Sequence, residues 1–289
     1  MPESVLDGLR FPESVRWHDD RLWFCNWLAS EVVAFDPSDG TAQVVAKAAV
    51  PIPFCIDWLP DNRMLVTAGG ERAVLVATAD GTLELHADLT SVFTKGAVNE
   101  VVVDPRGHVF VNGGGYDLMA GDEPAPGIIA SIAADGTVRV VADDIHFGNG
   151  MAITADGSLL IVAESHAARL SAFRIAEDGS LGDRRVWAEL GDGAAPDGIC
   201  LDADGAVWYA DVPNKRCVRV AEGGAVLDTV TADRGCFSCA LGGADGRTLF
   251  IAVAEWAGGA GMRSAERTGA VLAVESPATE SSREGDARA

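Results

Sequence analysis

Three regularities of this 289-residue sequence predict an all-β chain folded as a six-bladed β-propeller. A turn signal occurs six times, at Asp19-Asp20, Asp61-Asn62, Arg106-Gly107, Asp156-Gly157, Asp204-Gly205 and Asp245-Gly246, so successive copies stand 41 to 50 residues apart. Short runs rich in Val, Ile, Leu, Phe and Trp flank each turn, as in Arg21-Leu22-Trp23-Phe24-Cys25 and Ala206-Val207-Trp208-Tyr209-Ala210, which is the pattern of strands joined by tight turns. A second turn closes an outer strand pair in most copies, at Asp39-Gly40, Asp80-Gly81, Asp135-Gly136, Asp178-Gly179 and Gly223-Gly224. Four strands per copy, six copies and this period together describe sheets packed face to face around a channel.

In chain order, each copy begins with one variable polar position, then an apolar strand, a turn and a second apolar strand. The stretch Phe147-Gly148-Asn149-Gly150-Met151-Ala152-Ile153 up to the Asp156-Gly157 turn shows the plan most clearly. The sixth copy has no second turn after Gly269-Ala270-Val271-Leu272-Ala273-Val274, so the N-terminal Val5-Leu6 segment is expected to pair beside it and close the ring. Residues 1–275 are read as one domain, and the polar stretch 276–289 as a disordered tail.

Composition narrows the function. With 22 Lys and Arg against 43 Asp and Glu the net charge is −21, which repels nucleic acids and anionic membranes. No apolar run nears the ~20 residues needed to span a bilayer, and the start lacks a basic segment followed by an apolar one, so a cytoplasmic location is expected. The six cysteines are too scattered for a disulfide framework and are read as reduced thiols, with Cys236-Phe237-Ser238-Cys239 a lone CxxC lacking a partner pair.

The variable position reads Glu13, Cys55, Asn99, Asn149, Asp197 and Ser238 around the ring. Inner strands of a propeller run along its channel, so these six positions gather at one mouth. Two carboxylates and two amides brought together there would repel unless a cation sits among them. A set of oxygen donors with no Cys or His suits one hard divalent ion, calcium first, with zinc, manganese or magnesium as alternatives. Taken singly, each Asn or Asp reads equally well as a turn former. The loops between second and third strands open at the same mouth, and two are long, residues 112–127 and 255–268.

The segments Phe147-Gly148-Asn149-Gly150-Met151, Pro196-Asp197-Gly198-Ile199, Asn99-Glu100-Val101-Val102-Val103-Asp104 and Pro12-Glu13-Ser14-Val15-Arg16-Trp17 resemble the corresponding blades of the gluconolactonase and regucalcin family, which includes luciferin-regenerating enzyme, over about residues 8 to 275. The resemblance implies a six-bladed propeller with one catalytic divalent ion on its axis. It also implies Glu13, Asn149 and Asp197 as metal ligands, Asn99 as a ligand or substrate contact, and Asp197 as the base or nucleophile. Tyr116 and Asp117 fall near where the family places substrate contacts. Two departures concern the substrate: Ala97 stands where sugar-acid lactonases of the family tend to carry Arg, and Glu100 where they usually carry Asp.

The expected activity is therefore hydrolysis of a small-molecule lactone or related ester, by a monomer or small homo-oligomer. The ion would polarise the carbonyl oxygen, and Asp197 would take a proton from the attacking water. A carboxylate touching a cation is a weak base, so attack by water with little help from Asp197 is the competing route. A phosphoester or organophosphate hydrolase, and a ligand-binding propeller without catalysis, are the other readings. His166 is a candidate proton shuttle and substrate contact, and His146 a candidate neighbour of Asn149, whereas His18, His86 and His108 read as structural. Trp27 and Trp256 are candidate walls of the pocket. The loop 112–127, with Gly113-Gly114-Gly115 and Pro124-Ala125-Pro126, reads as a lid with a mobile tip.

Overall fold

A computed structural model describes residues 2–256, 258 and 266–281. It contains six four-stranded antiparallel sheets, each made of consecutive strands except the last. The inner strands of the six blades are Pro12–His18, Ile56–Trp58, Val98–Val103, Gly148–Ile153, Pro196–Leu201 and Gly235–Gly242. All six predicted inner turns fall between the first and second strands of a blade.

Blade six is completed from the other end of the chain. Glu3–Leu9 pairs antiparallel with Gly269–Glu275, with Leu6 opposite Val271, which is the closure expected of the Val5-Leu6 segment. Alternation along the strands puts one apolar set on each face of a sheet, and neighbouring sheets bury these sets against each other. Leu22, Phe24, Phe35 and Phe250 fill the cleft between blades one and six, Phe110, Ile129, Leu160 and Phe173 that between three and four, and Ile161, Leu170, Val207 and Tyr209 that between four and five.

The tail differs from expectation. Residues 276–281 are docked across blades five and six: Ala203 N–H donates to Thr279 O at 2.9 Å, Glu280 N–H to Gly246 O at 2.9 Å and Ser281 N–H to Leu201 O at 3.3 Å, with Ala278 buried. These contacts are mostly through backbone groups, which is why a polar composition gave no sign of them. Residues 282–289, the remainder of the expected disordered tail, and most of the 255–268 loop lie outside the described residues.

Candidate active site

Five of the six inner strands carry an irregularity in pairing at or beside the variable position: between Glu13 and Arg16, Val98 and Val101, Gly148 and Met151, Pro196 and Ile199, and Cys236 and Ser238. A bulge bends a strand and re-aims its side chains, so the same device five times turns successive side chains toward the channel mouth. The glycines that follow Asn149 and Asp197 have a steric reason. A Cβ on Gly150 would stand 2.5 Å from Asp197 O, and one on Gly198 would stand 2.7 Å from Ser238 Cα, so the inner strands of blades four, five and six touch through bare backbone. Side-chain oxygens stitch the ring as well, with Ile56 N–H donating to Ser14 Oγ and Val15 N–H to Ser238 Oγ, each at 3.0 Å.

Three of the four polar side chains singled out in the sequence are linked by hydrogen bonds, and the fourth, Glu13, lies in the field of Asp197. Asn99 Nδ2 donates to Asn149 Oδ1 at 3.2 Å, and the Asn149 side chain hydrogen-bonds to Asp197. Asn149 Nδ2 also donates to Ser165 Oγ at 3.3 Å, whose hydroxyl donates to Pro196 O at 2.6 Å. Glu13 and Asp197 are both buried, at 6% and 8% exposure. Burial first, and then the charge of Asp197, push the Glu13 carboxyl well above the usual carboxylate range. Burial and then Glu100 do the same to Asp197, while Asn149 pulls the other way. Two buried acids whose protons are held by burial and by neighbouring carboxylates mark a place where a cation would be favoured, and amide oxygens beside them are hard donors, so this set fits a divalent ion. Among the described residues, no three His, Cys, Asp or Glu side chains form a metal-holding group, so an ion here would depend on the amides of Asn99 and Asn149 to supplement the two carboxylates.

One element of the site escaped the sequence. Arg16, on the inner strand of blade one, reaches across to blade three, where its Nη2 lies 2.8 Å from Glu100 Oε1 and 3.3 Å from Val101 O. Glu100, the departure noted beside Asn99, is thus one half of a buried ion pair that crosses the channel beneath the polar group. Sequence distance hides it, since the partners are 84 residues apart.

The remaining candidates separate. Tyr116 is buried, its ring lies 6.0 Å from Phe147 and 6.1 Å from His166, and its buried hydroxyl has no hydrogen-bond partner. His166 is exposed and stacks on Phe147 at 4.6 Å. His146 N–H donates to Glu164 and its ring sits 3.3 Å from Asp144, away from the polar group. Asp117 is exposed and accepts from Ala120 N–H at 3.0 Å, which caps the turn of the long third-blade loop. Trp27 is buried, stacks on Phe11 at 5.7 Å and donates through Nε1 to Phe54 O at 2.6 Å, whereas Trp256 is exposed and lies 5.7 Å from Phe237. His18 stacks on Trp58 at 4.1 Å and His108 Nδ1 lies 3.0 Å from Asp104, both structural contacts.

Residues 11–255 match the profile of the family described as SMP-30/Gluconolactonase/LRE-like region. The chain belongs to this family. Relatives within it include the 6-deoxy-6-sulfogluconolactonase of Pseudomonas putida, 25% identical over 80% of this chain and 78% of that protein. The pentonolactonase XacC of Haloferax volcanii is 26% identical over 78% of this chain and 82% of its own length. Among solved structures, a luciferin-regenerating enzyme superposes with a TM-score of 0.80 at 20% identity, covering 98% of this chain and 99% of that one. A regucalcin from Agrobacterium tumefaciens, described as calcium-binding, gives 0.78 at 20% identity, covering 98% and 95%. No described helix is long and apolar enough to cross a membrane.

Proposed function

We propose that this protein hydrolyses a lactone, or a related ester, at the mouth of the channel with a divalent ion held by Glu13, Asn149 and Asp197 and by Asn99 beside them. The observation that carries the reading is the group of two buried carboxylates, Glu13 and Asp197, the first feeling the charge of the second, with the half-buried amides of Asn99 and Asn149 beside them. Membership of a family whose relatives include named lactonases supports the reaction class.

A cation bound there, calcium being the first choice, would supply a Lewis acid for the carbonyl oxygen. The chain's own residues do the rest. Asn99 and Asn149 hold each other and Asp197 in one orientation, so the carboxylate does not have to be ordered during the reaction. Asp197 accepts the proton of the water that attacks the carbonyl carbon and returns it to the ring oxygen as the C–O bond breaks, leaving a hydroxy acid. The unpartnered Tyr116 hydroxyl donates a hydrogen bond to substrate, and His166 stacked on Phe147 shields that side from water.

The substrate itself is read as a neutral lactone with an apolar flank. Ala97 offers no guanidinium, and three arginines of blades one, four and five are engaged by carboxylates: Arg16 with Glu100, Arg169 with Glu164 and Arg216 with Asp211. Phe11, Phe237 and Trp256 form an aromatic group beside Glu13. Hydrolysis of an alkyl lactone, an aromatic lactone and glucono-1,5-lactone, each before and after chelation and on adding back calcium, manganese, magnesium or zinc, tests the proposal. The expected result is activity that falls with chelation, returns with metal, and drops by a factor of about 100 or more in Asp197→Asn. Unchanged lactonase activity in both Asp197→Asn and Asn149→Ala, with normal circular dichroism, would refute it.

A further inference from the structure

The inner strands of blades five and six carry Cys200, Cys236 and Cys239, the third strand of blade five adds Cys217 beside them, and the hydrolytic chemistry uses none of the four. Cys200 Sγ and Cys239 Sγ lie 4.0 Å apart, and Cys217 reaches both Cys239 and Cys236. These include both members of the CxxC, but the 4.0 Å approach joins Cys239 to a residue outside the motif. The far end of the channel, away from Glu13 and Asp197, holds a cavity of about 140 Å³ whose lining includes Arg16, Met151, Cys200, Cys239, Glu280 and Ser281. Cys25, Cys55, Cys217 and Cys236 do not line it, whereas the half-buried Cys200 and the buried Cys239 reach its wall.

We propose that Cys239 and Cys200 are an oxidation site for hydrogen peroxide, closing to a reversible disulfide across the blade five to blade six cleft. The cavity has room for a molecule of that size, and the Arg16 guanidinium on its wall favours a developing anion. Two steps follow. Cys239 sulfur attacks one peroxide oxygen, the O–O bond breaks, and the departing hydroxide takes the thiol proton to leave as water, giving a sulfenic acid. Cys200 sulfur then attacks Cys239 sulfur, the S–O bond breaks, a second water leaves, and the S–S bond forms. Two thiols are oxidised by two electrons, and one peroxide is reduced to two waters.

Geometry allows the closure. At Gly198 the two strands approach so closely that a Cβ would stand 2.7 Å from Ser238 Cα. Cys200 lies two residues beyond Gly198 and Cys239 one beyond Ser238, and their sulfurs already stand 4.0 Å apart, so the remaining approach is a matter of side-chain rotation. Hydrogen bonds from Cys200 and Cys217 pull the Cys239 thiol below its ordinary range despite burial, which supports it as the attacking sulfur.

The test uses the full chain treated with hydrogen peroxide, alkylated, digested without reductant and analysed by mass spectrometry. The expected result is loss of two of the six thiols and one cross-linked peptide pair joining Cys200 to Cys239, restored by dithiothreitol. In Cys200→Ser the cross-link should vanish and dimedone should label Cys239. A disulfide between Cys217 and Cys236 instead, six thiols surviving treatment, or dimedone labelling spread over several cysteines in Cys200→Ser, would each overturn the assignment. The outcome is independent of lactonase activity.

Discussion

Removing one half of the Arg16–Glu100 pair should cost more than any surface substitution in this protein. Arg16 is 15% exposed and Glu100 5%, and their charged atoms approach to 2.8 Å. With charge centres about 4 Å apart and an effective dielectric near 20, the attraction is about 4 kcal/mol. Burial still outweighs the guanidinium at Glu100, whose carboxyl lies above its usual range, so most of that attraction offsets desolvation. Arg16→Met leaves a buried carboxylate beside Asp57 and the Glu13–Asp197 group without its cation, and Glu100→Gln leaves a buried guanidinium without its anion. Either should destabilise by about 3–5 kcal/mol, whereas the double variant Arg16→Met/Glu100→Gln should recover much of the loss. Urea unfolding of the four proteins, read by tryptophan fluorescence, closes the cycle. Single variants within about 1 kcal/mol of the parent, or a double variant as unstable as the sum of the singles, would refute the claim that the pair is a coupled strut.

Gly150→Ala should destabilise by about 1–3 kcal/mol and lower lactone turnover, because its Cβ would meet Asp197 O at 2.5 Å and displace the strand that carries the proposed base. A thermal melt together with a lactonase assay reads both effects. Glu164 gives a pH signature. Burial alone would raise its carboxyl, but Arg169 at 3.0 Å, the His146 N–H and Ser171 bring it below the usual range. A carboxylate with a depressed folded pKa contributes stability that is full above its unfolded value of about 4.3 and is lost as pH falls through the folded one. Glu164→Gln should therefore be less stable than the parent at neutral pH, by about 2–3 kcal/mol, with the gap narrowing in acid titrations followed by circular dichroism. Truncation after Glu275 removes the backbone bonds of Thr279, Glu280 and Ser281 and exposes the surface under Ala278, and should cost about 2–4 kcal/mol on calorimetry.

The blade count, the six turns and the closing strand were legible because each rests on local signals: Asp-Gly turns, short apolar runs and one missing outer hairpin. The variable column was legible for the same reason, and the structure places its Asn99, Asn149, Glu13 and Asp197 members in contact or in each other's field. What the sequence could not supply were contacts between residues far apart in the chain. The Arg16–Glu100 pair, the meeting of Cys200 with Cys239 and the docking of residues 276–281 all depend on which blades are neighbours and on register within them. The repeated bulges were invisible as well, since Ser14 at φ 51° belongs to a residue type that ordinarily avoids that region. Asp117 shows the limit of a motif carried onto a loop, because its carboxylate caps the loop's own turn.

The borrowing of Glu3–Leu9 by blade six has a bearing on how the molecule is made. Of the strands of the ring, Glu3–Leu9 is synthesised first and finds its partner last: its pairing edge at Gly269–Glu275 does not exist until all six blades have been made. During translation the growing end therefore holds up to five blades in an open arc, with the apolar flank of blade one uncovered and an orphan strand beside it. Folding of the finished ring is then a single late event, and any lesion that delays the final blade leaves that flank available for self-association.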